Sequence, residues 1–447
     1  MSPADCGWAL PARVSAALLA LALAGCQAPG SVGVSVQEDA HPPQAWRALR
    51  SEEQAAFDLG YSVFNTEWVP ANSPAGRIDG LGPLFNPQGC DACHNSRRRG
   101  RGPRGDGEAP SDLVIQLGRL LPDRSVQRGT DEYGYVLNTA AIRGFTPEAR
   151  VSIRYQEQVR SLSDGSQVKL RAPHYIVADL SGPALPASTV LMPRLPPPVQ
   201  GSGLLELVPL SELERSAAAQ HRGRAGIGGH VSWLGSGRNA VIGRFGWQGS
   251  EPTVASQIGN AFAREMGLTN PLVDHIDCGV QDAACQGAPT GGSPEVAPEL
   301  FDAVVAFQRL HAVPVQQLPD TSAAGARLFA QVGCGDCHRS TLRVETGAAR
   351  AAIHPYTDLL LHDMGEGLAD SDISGNKARD EWRTAPLWGM HAPYASDPAP
   401  RLLHDGRARS IDEAILWHDG EARAARDRFA RLSAEERRTL VSWIEQL

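Results

Sequence analysis

Two stretches of the chain carry the same five-residue arrangement: Cys90-Asp91-Ala92-Cys93-His94 and Cys334-Gly335-Asp336-Cys337-His338. Both read C-x-x-C-H. Two thiols at this spacing can add to the two vinyl groups of a haem, and the adjacent histidine sets an imidazole under the iron. A structural zinc site would need four ligands, and its C-x-x-C pairs would not need the trailing histidine. A redox C-x-x-C would open a helix after a buried strand, and Gly89 and Gly333 follow no such run. With 8 Cys and 13 His in 447 residues, composition alone gives roughly 0.004 chance copies of the motif. Two copies therefore predict two covalently bound c-type haems, on Cys90, Cys93 and His94 and on Cys334, Cys337 and His338. His94 and His338 are then the proximal iron ligands.

The remaining cysteines have other uses. Cys278 and Cys285 are separated by six residues with no histidine among them, which suits a disulfide-closed loop; a catalytic thiol pair is the alternative. Residues 1–26 hold Arg13 ahead of an apolar run from Val14 to Ala24, too short to span a bilayer but right for a signal-peptide core. Leu23-Ala24-Gly25-Cys26 resembles a bacterial lipobox, which would make Cys26 the lipidated mature N-terminus; an ordinary signal peptide is the alternative. The expected location is the periplasmic face, anchored by lipid to the outer membrane. That compartment is oxidising.

The chain must fold to position these groups. Hydrophobic residues make up 42% and charged residues 21%, a composition that folds and argues against long disorder. A balance of 42 basic and 50 acidic residues gives −8, so nucleic acid is a poor partner. Leu84-Phe85 precedes Gly89 and the first motif just as Leu328-Phe329 precedes Gly333 and the second, which reads as an internal repeat. A helix through Gly325 and Phe329 would pack against a C-terminal helix opened by the Ser433/Glu436 capping box. Ser410 and Glu413 open another helix. Between the motifs, residues 150–180 alternate as strands about an Asp164-Gly165 turn. Residues 193–209 are Pro-rich, 222–247 are Gly-rich, and 297–310 return to helix. The expected fold is mainly α, with two cytochrome c-like haem domains and a β-containing, Gly/Pro-rich insertion in the first. The boundaries are a signal peptide over 1–25, a flexible tether over 26–50, the N-terminal haem domain over 51–315 and the C-terminal one over 316–447.

Several strings resemble one bacterial group: YTDLLLHDMGEGLAD (356–370), EWRTAPLWG (381–389), LLHDGRARSIDEAILWHDGEA (402–422), GSGLLELVP (201–209), GRFGWQG (243–249) and AFAREMGLTNP (261–271). This is the di-haem oxidoreductase family, often labelled thiol oxidoreductase and related to bacterial di-haem cytochrome c peroxidases and MauG-like enzymes. The resemblance implies two unequal haems. A C-terminal, six-coordinate, low-spin haem would store electrons and pass them to an N-terminal haem that cleaves hydrogen peroxide. No histidine lies between His94 and His174, so the close second histidine of typical peroxidases has no counterpart here.

The candidates for the remaining roles are few. Met364, in HDMG, is favoured as the sixth ligand of the C-terminal haem, with Met390 as substitute and core packing as the alternative. Met266 sits in a similar Met-Gly setting and is a candidate for the N-terminal haem, with His174 and Met192 as rivals and an open site as the other choice. Glu148 is the candidate acid/base; a helix-start carboxylate is the competing explanation. His404 and His418 resemble family positions near the C-terminal haem and read as hydrogen-bonding neighbours. Trp68, Trp247, Trp382 and Trp388 are candidates to bridge the haems, or simply core. Arg97, Arg98, Arg99, Arg101 and Arg104 form a solvated loop, a docking patch or counter-charges for haem propionates. The reading is an enzyme that takes electrons from a small periplasmic donor, with hydrogen peroxide as substrate. The alternative is an anchored di-haem electron carrier without peroxide chemistry.

Overall fold

The computed structural model describes residues 43–74, 78–94, 99–109, 112–223, 226–313, 320, 323–346, 349–378, 380–391 and 401–447. Cys26, the expected signal peptide, Arg97 and Arg98 lie outside them. Among the described residues no helix is long and apolar enough to cross a membrane. Residues 43–50, the end of the expected tether, lie along the helix Pro298–Leu310. There Trp46 donates from its indole Nε1 to the Arg309 carbonyl at 2.8 Å, and its backbone nitrogen to Leu310.

The fold is not mainly α: it is 30% helical and 23% strand, the strands spread over many small sheets. The strands are not confined to one insertion. Arg150–Ser161 and Gln167–Ala178 form the long hairpin that the alternation predicts, in register from Arg150 opposite Ala178 to Ser161 opposite Gln167. Gly165 takes φ +81° at its turn. A four-stranded sheet runs Ser371–Asp372, Thr189–Arg194, Val114–Leu120, Val126–Arg128 and so joins distant parts of the chain. Further pairs, Leu342–Thr346 with Ala349–Ile353 and Leu361–Asp363 with Glu381–Arg383, follow the second motif. A reading centred on the helices around the two motifs passes over these strands: most are too short for period-2 patterning to register, and Val114–Leu120 and Thr189–Arg194 are buried without alternation.

Two crossed helix pairs stand beside the two motifs. Ser51–Phe64 packs on Pro298–Leu310, where a Cβ on Gly60 would lie 2.0 Å from the Ala303 carbonyl oxygen. Ala324–Val332 packs on Ala434–Ile444, where a Cβ on Gly325 would lie 2.2 Å from Trp443. Each glycine lets the backbones approach, and aromatic rings fill the flanks: Phe57 and Phe64 on Phe307, Phe329 on Trp443. The Leu-Phe sequence repeat is not a structural one. Leu328 and Phe329 are helical, whereas Leu84–Phe85 is a strand paired with Ala140–Ala141. Pro83 and Pro87 bracket the first copy and exclude a helix there.

The hairpin is tied to the C-terminal part through Arg171. Its buried guanidinium donates to the carbonyls of Arg407 (2.7 Å), Pro103 (3.0 Å), Arg104 (3.1 Å) and Gly406 (3.2 Å). Its Cζ lies 4.1 Å from the Tyr155 ring centroid. The charge is thus met by oriented backbone dipoles.

Candidate haem sites

The first motif forms a single helical turn, Cys90–His94, entered through Gly89, where a Cβ would meet the Thr66 carbonyl oxygen at 2.4 Å. His94 turns its Nδ1 to the Pro197 carbonyl at 3.0 Å. The second motif begins at Gly333, which ends the helix Ala324–Val332 at φ +95°. His338 turns its Nδ1 to the Tyr356 carbonyl, also at 3.0 Å. Burial pushes both imidazoles down to about 4, so both are neutral near pH 7. With the proton on Nδ1, each presents an Nε2 lone pair, the form that binds a metal. The four motif cysteines are not joined in disulfides. Burial pushes Cys90 and Cys334 up to about 12 and raises Cys93 and Cys337, so none is held as a thiolate for redox exchange.

A cavity, partly open to solvent, lies against the first motif and is lined by Cys90, Cys93 and His94. Pro196, Pro197 and Pro198 form part of its wall. The helix Val254–Glu265, set by a Thr253/Ser256 capping box, forms another part through Ile258, Phe262, Glu265 and then Met266. Met266 is 2% exposed and ends this helix because Gly267 turns the chain at φ +62° against Gly82. The same Met-Gly pairing at Met364 also ends in a turn, with Gly365 at φ +79°. The echo between the two strings thus marks a turn. Arg99, Arg128, Arg194, Arg264 and Arg383 also line the cavity; burial lowers Arg128 and Arg383 to about 10. A planar, largely apolar group with two carboxylates, tethered through two thiols and one imidazole, fits this lining.

The second motif sits at an aromatic core of Phe329, Tyr356, Trp382, Trp417 and Trp443. The indole N–H groups of Trp382, Trp417 and Trp443 are buried with no acceptor among the described residues, so this core too suits an added polar-edged group. His362 lies beside it with its Nε2 3.0 Å from Asp358 and its Nδ1 2.6 Å from Glu421 and 3.8 Å from the Cys337 sulfur. Burial alone would lower His362, but its hydrogen bonds with Asp358, Cys337 and Glu421 override this and raise it to about 12. Cys337, Asp358 and His362 are grouped closely enough to suggest a metal site. Both His362 nitrogens are already committed to carboxylates, so the cluster reads as a satisfied ion group beside Cys337.

Glu148 is not in the cavity lining. Its buried Oε2 accepts from the Asn138 backbone (2.6 Å) and side chain (3.1 Å). Burial raises its carboxyl to about 8. Because the folded chain holds this proton where an unfolded carboxyl does not, the contribution is complete below about pH 4 and fades as pH rises toward 8. Unfolding free energies from urea titrations at pH 5 to 8 should fall more steeply for the wild type than for Glu148→Gln, by on the order of a few kcal/mol over the range. Parallel slopes would refute this.

Cys278 and Cys285 form a disulfide, beside Asp277, whose carboxylate accepts from the Tyr135 and Val136 backbones. The bond pins a structural loop. His174 is exposed on its strand, Met192 packs with Val190 and Ala378, and Met390 is buried in the second core. Arg101 pairs with Asp112, while Arg99 lies 5.7 Å from the Trp247 ring centroid. Trp68 is core, edge-on to Phe262. Trp388 and Trp247 line the cavity. Trp247 is edge-on to His404, their centroids 6.5 Å apart, and His404 stacks on Trp382 at 3.8 Å and 14°. This ring stack runs from the first cavity to the second core.

A family model described as "Di-haem oxidoreductase, putative peroxidase" matches residues 135–447. The chain belongs to the di-haem oxidoreductase family. Haem is the cofactor this implies. The match holds the second motif, the Val254–Glu265 wall and the ring stack, and starts beyond the first motif. No curated protein and no solved structure matches the chain. The residue that motif reading missed in this di-haem oxidoreductase is Glu265. It lines the cavity, its Oε2 is buried without a partner among the described residues, and burial raises its carboxyl to about 8. Its signal in the sequence was adjacency to Met266.

Proposed function

We propose that the chain is an exported, lipid-anchored di-haem peroxidase. Its two haems are covalent, on Cys90, Cys93 and His94 and on Cys334, Cys337 and His338, and electrons run from the C-terminal site to the N-terminal one. The observation that carries this reading is Glu265, a carboxyl that keeps its proton at neutral pH, in the wall of the cavity shared by His94 and both thiols. Haem held there supplies a redox-active iron at which a peroxide O–O bond can be cleaved. The chain supplies the rest. Glu265 holds the proton at a carboxyl oxygen and can return it to a leaving oxygen. Ile258, Phe262 and the three prolines keep the wall apolar and limit water. The arginines offer counter-charge to haem carboxylates. Trp247, His404 and Trp382 offer the electron path, and a small periplasmic protein is the donor.

Met266 favours a second reading, because its thioether lines the same cavity and can close the iron's sixth position. The chain would then be an electron relay. Optical titration of the diferric protein with hydrogen peroxide, repeated after one-electron reduction, separates the two. A rapid Soret change with peroxide loss supports the peroxidase. Two low-spin spectra that do not respond leave the relay.

A further inference from the structure

Three imidazoles share one arrangement, and only two of them belong to C-x-x-C-H motifs. The third is His418, whose Nδ1 meets the Ala414 carbonyl at 2.7 Å, as His94 meets Pro197 and His338 meets Tyr356. In all three, Nε2 has no protein partner among the described residues. Each ring lies deep in the chain yet keeps part of its surface on open space. A neutral ring with its Nδ1–H committed to a carbonyl has one free lone pair and a fixed orientation. That is what a metal ligand requires.

His418 is also placed at the second motif: three residues further on, Glu421 meets the His362 Nδ1 at 2.6 Å, and that nitrogen lies 3.8 Å from the Cys337 sulfur. His418 stands between the helices Ile411–Trp417 and Arg423–Arg431. The second of these returns to the helix that carries the motif, with Arg428 donating to the Val332 carbonyl at 2.6 Å. The segment around Met364 meets the same spot: a Cβ on Gly420 would lie 2.4 Å from the Asp363 carbonyl oxygen, and one on Gly365 2.8 Å from the Asp419 Cβ. Two side chains of ligand type therefore converge on one place. The imidazole is anchored by a 2.7 Å hydrogen bond at the end of a helix whose Leu416 and Trp417 are buried. The Met364 side chain is half-buried in a turn, and its thioether has no comparable anchor.

We propose that His418, rather than Met364, fills the sixth position of the C-terminal haem, giving it an imidazole on each face. The proposal rests on attachment of a haem at Cys334, Cys337 and His338, and is independent of peroxide chemistry. Its consequence is a low-spin haem without the thioether that raises the potential, so this site is a stronger reductant than a His/Met haem would be.

The test uses the two-haem protein, with haem counted as the pyridine haemochrome. His418→Gly should turn one haem from low to high spin by electron paramagnetic resonance, and added imidazole should restore it. Met364→Leu should leave both spectra and both potentials unchanged. His418→Met should add a sulfur-to-iron charge-transfer band and raise one midpoint potential. Low spin retained in His418→Gly, or lost in Met364→Leu, overturns the proposal. If His418→Gly does not accumulate as holoprotein, His418→Met decides alone: an unchanged spectrum overturns it. A wild-type chain that carries no haem on the second motif fails the attachment reading instead, and the haem count shows which has failed.

Discussion

Glu265→Gln should slow peroxide consumption by about 10²–10⁴-fold while haem content and the resting spectrum stay as in the wild type. The amide matches the carboxyl in shape but can neither hold nor return the proton. Glu265 is suited to that task because it is kept neutral: burial, with the Asp277 charge adding to it, raises its carboxyl to about 8. The wild-type rate should therefore fall as pH rises through about 8, and the variant's low rate should lose that dependence. Glu251, on the same cavity wall, lies 3.8 Å from Arg264, which opposes the rise that burial gives its carboxyl. Stopped-flow mixing with peroxide across pH 6–9 reads both effects. Equal rates in variant and wild type would remove Glu265 from the chemistry, and a changed haem count would show that it only supports the fold.

Part of this site was legible in the residues because C-x-x-C-H is a local pattern. Cys90, Cys93 and His94 are neighbours in sequence and remain neighbours in space, and so are Cys334, Cys337 and His338. The Ser433/Glu436 cap and the Asp164-Gly165 hairpin were legible for the same reason: each is decided within a few residues. What failed was read across longer distances. The Leu-Phe repeat predicted like structures, and two prolines made one of them a strand. Glu148 stands outside the cavity lining, where its carboxyl accepts from Asn138. Glu265 reaches the cavity only because a helix 170 residues beyond the first motif forms the wall, and nothing local announces that. His418 left a clue that went unused. Leu402-Leu403-His404-Asp405-Gly406-Arg407-Ala408 and Leu416-Trp417-His418-Asp419-Gly420-Glu421-Ala422 share the pattern L-x-H-D-G-x-A. The two histidines differ in environment. His404 stacks on Trp382, whereas the His418 Nε2 has no protein partner among the described residues.

The largest effect on stability should come from Asp370→Ala, at about 3–5 kcal/mol. Arg194 and Asp370 form a bidentate pair, Nη1 to Oδ1 at 2.9 Å and Nη2 to Oδ2 at 2.6 Å, with both side chains buried. Arg194 ends the strand Thr189–Arg194, which is flanked by Val114–Leu120 on one side and by Ser371–Asp372, next to Asp370, on the other. Removing the carboxylate leaves a guanidinium in the interior with Gln248 and the Pro193 carbonyl as its remaining protein acceptors. Desolvation of an unpaired charge is the dominant cost, so removing both partners should cost less than removing Asp370 alone. Urea unfolding of Asp370→Ala and of the double variant Arg194→Met/Asp370→Leu tests this directly. A double variant at least as unstable as the single one would show that packing, not charge, dominates. The pair bears on function as well, because Arg194 lines the cavity at the first motif and lies 4.8 Å from the Trp382 ring centroid. A cation freed from Asp370 at that point raises the local positive charge between the two sites. The midpoint potentials of haem in Asp370→Ala should therefore shift upward, because added positive charge favours the reduced iron.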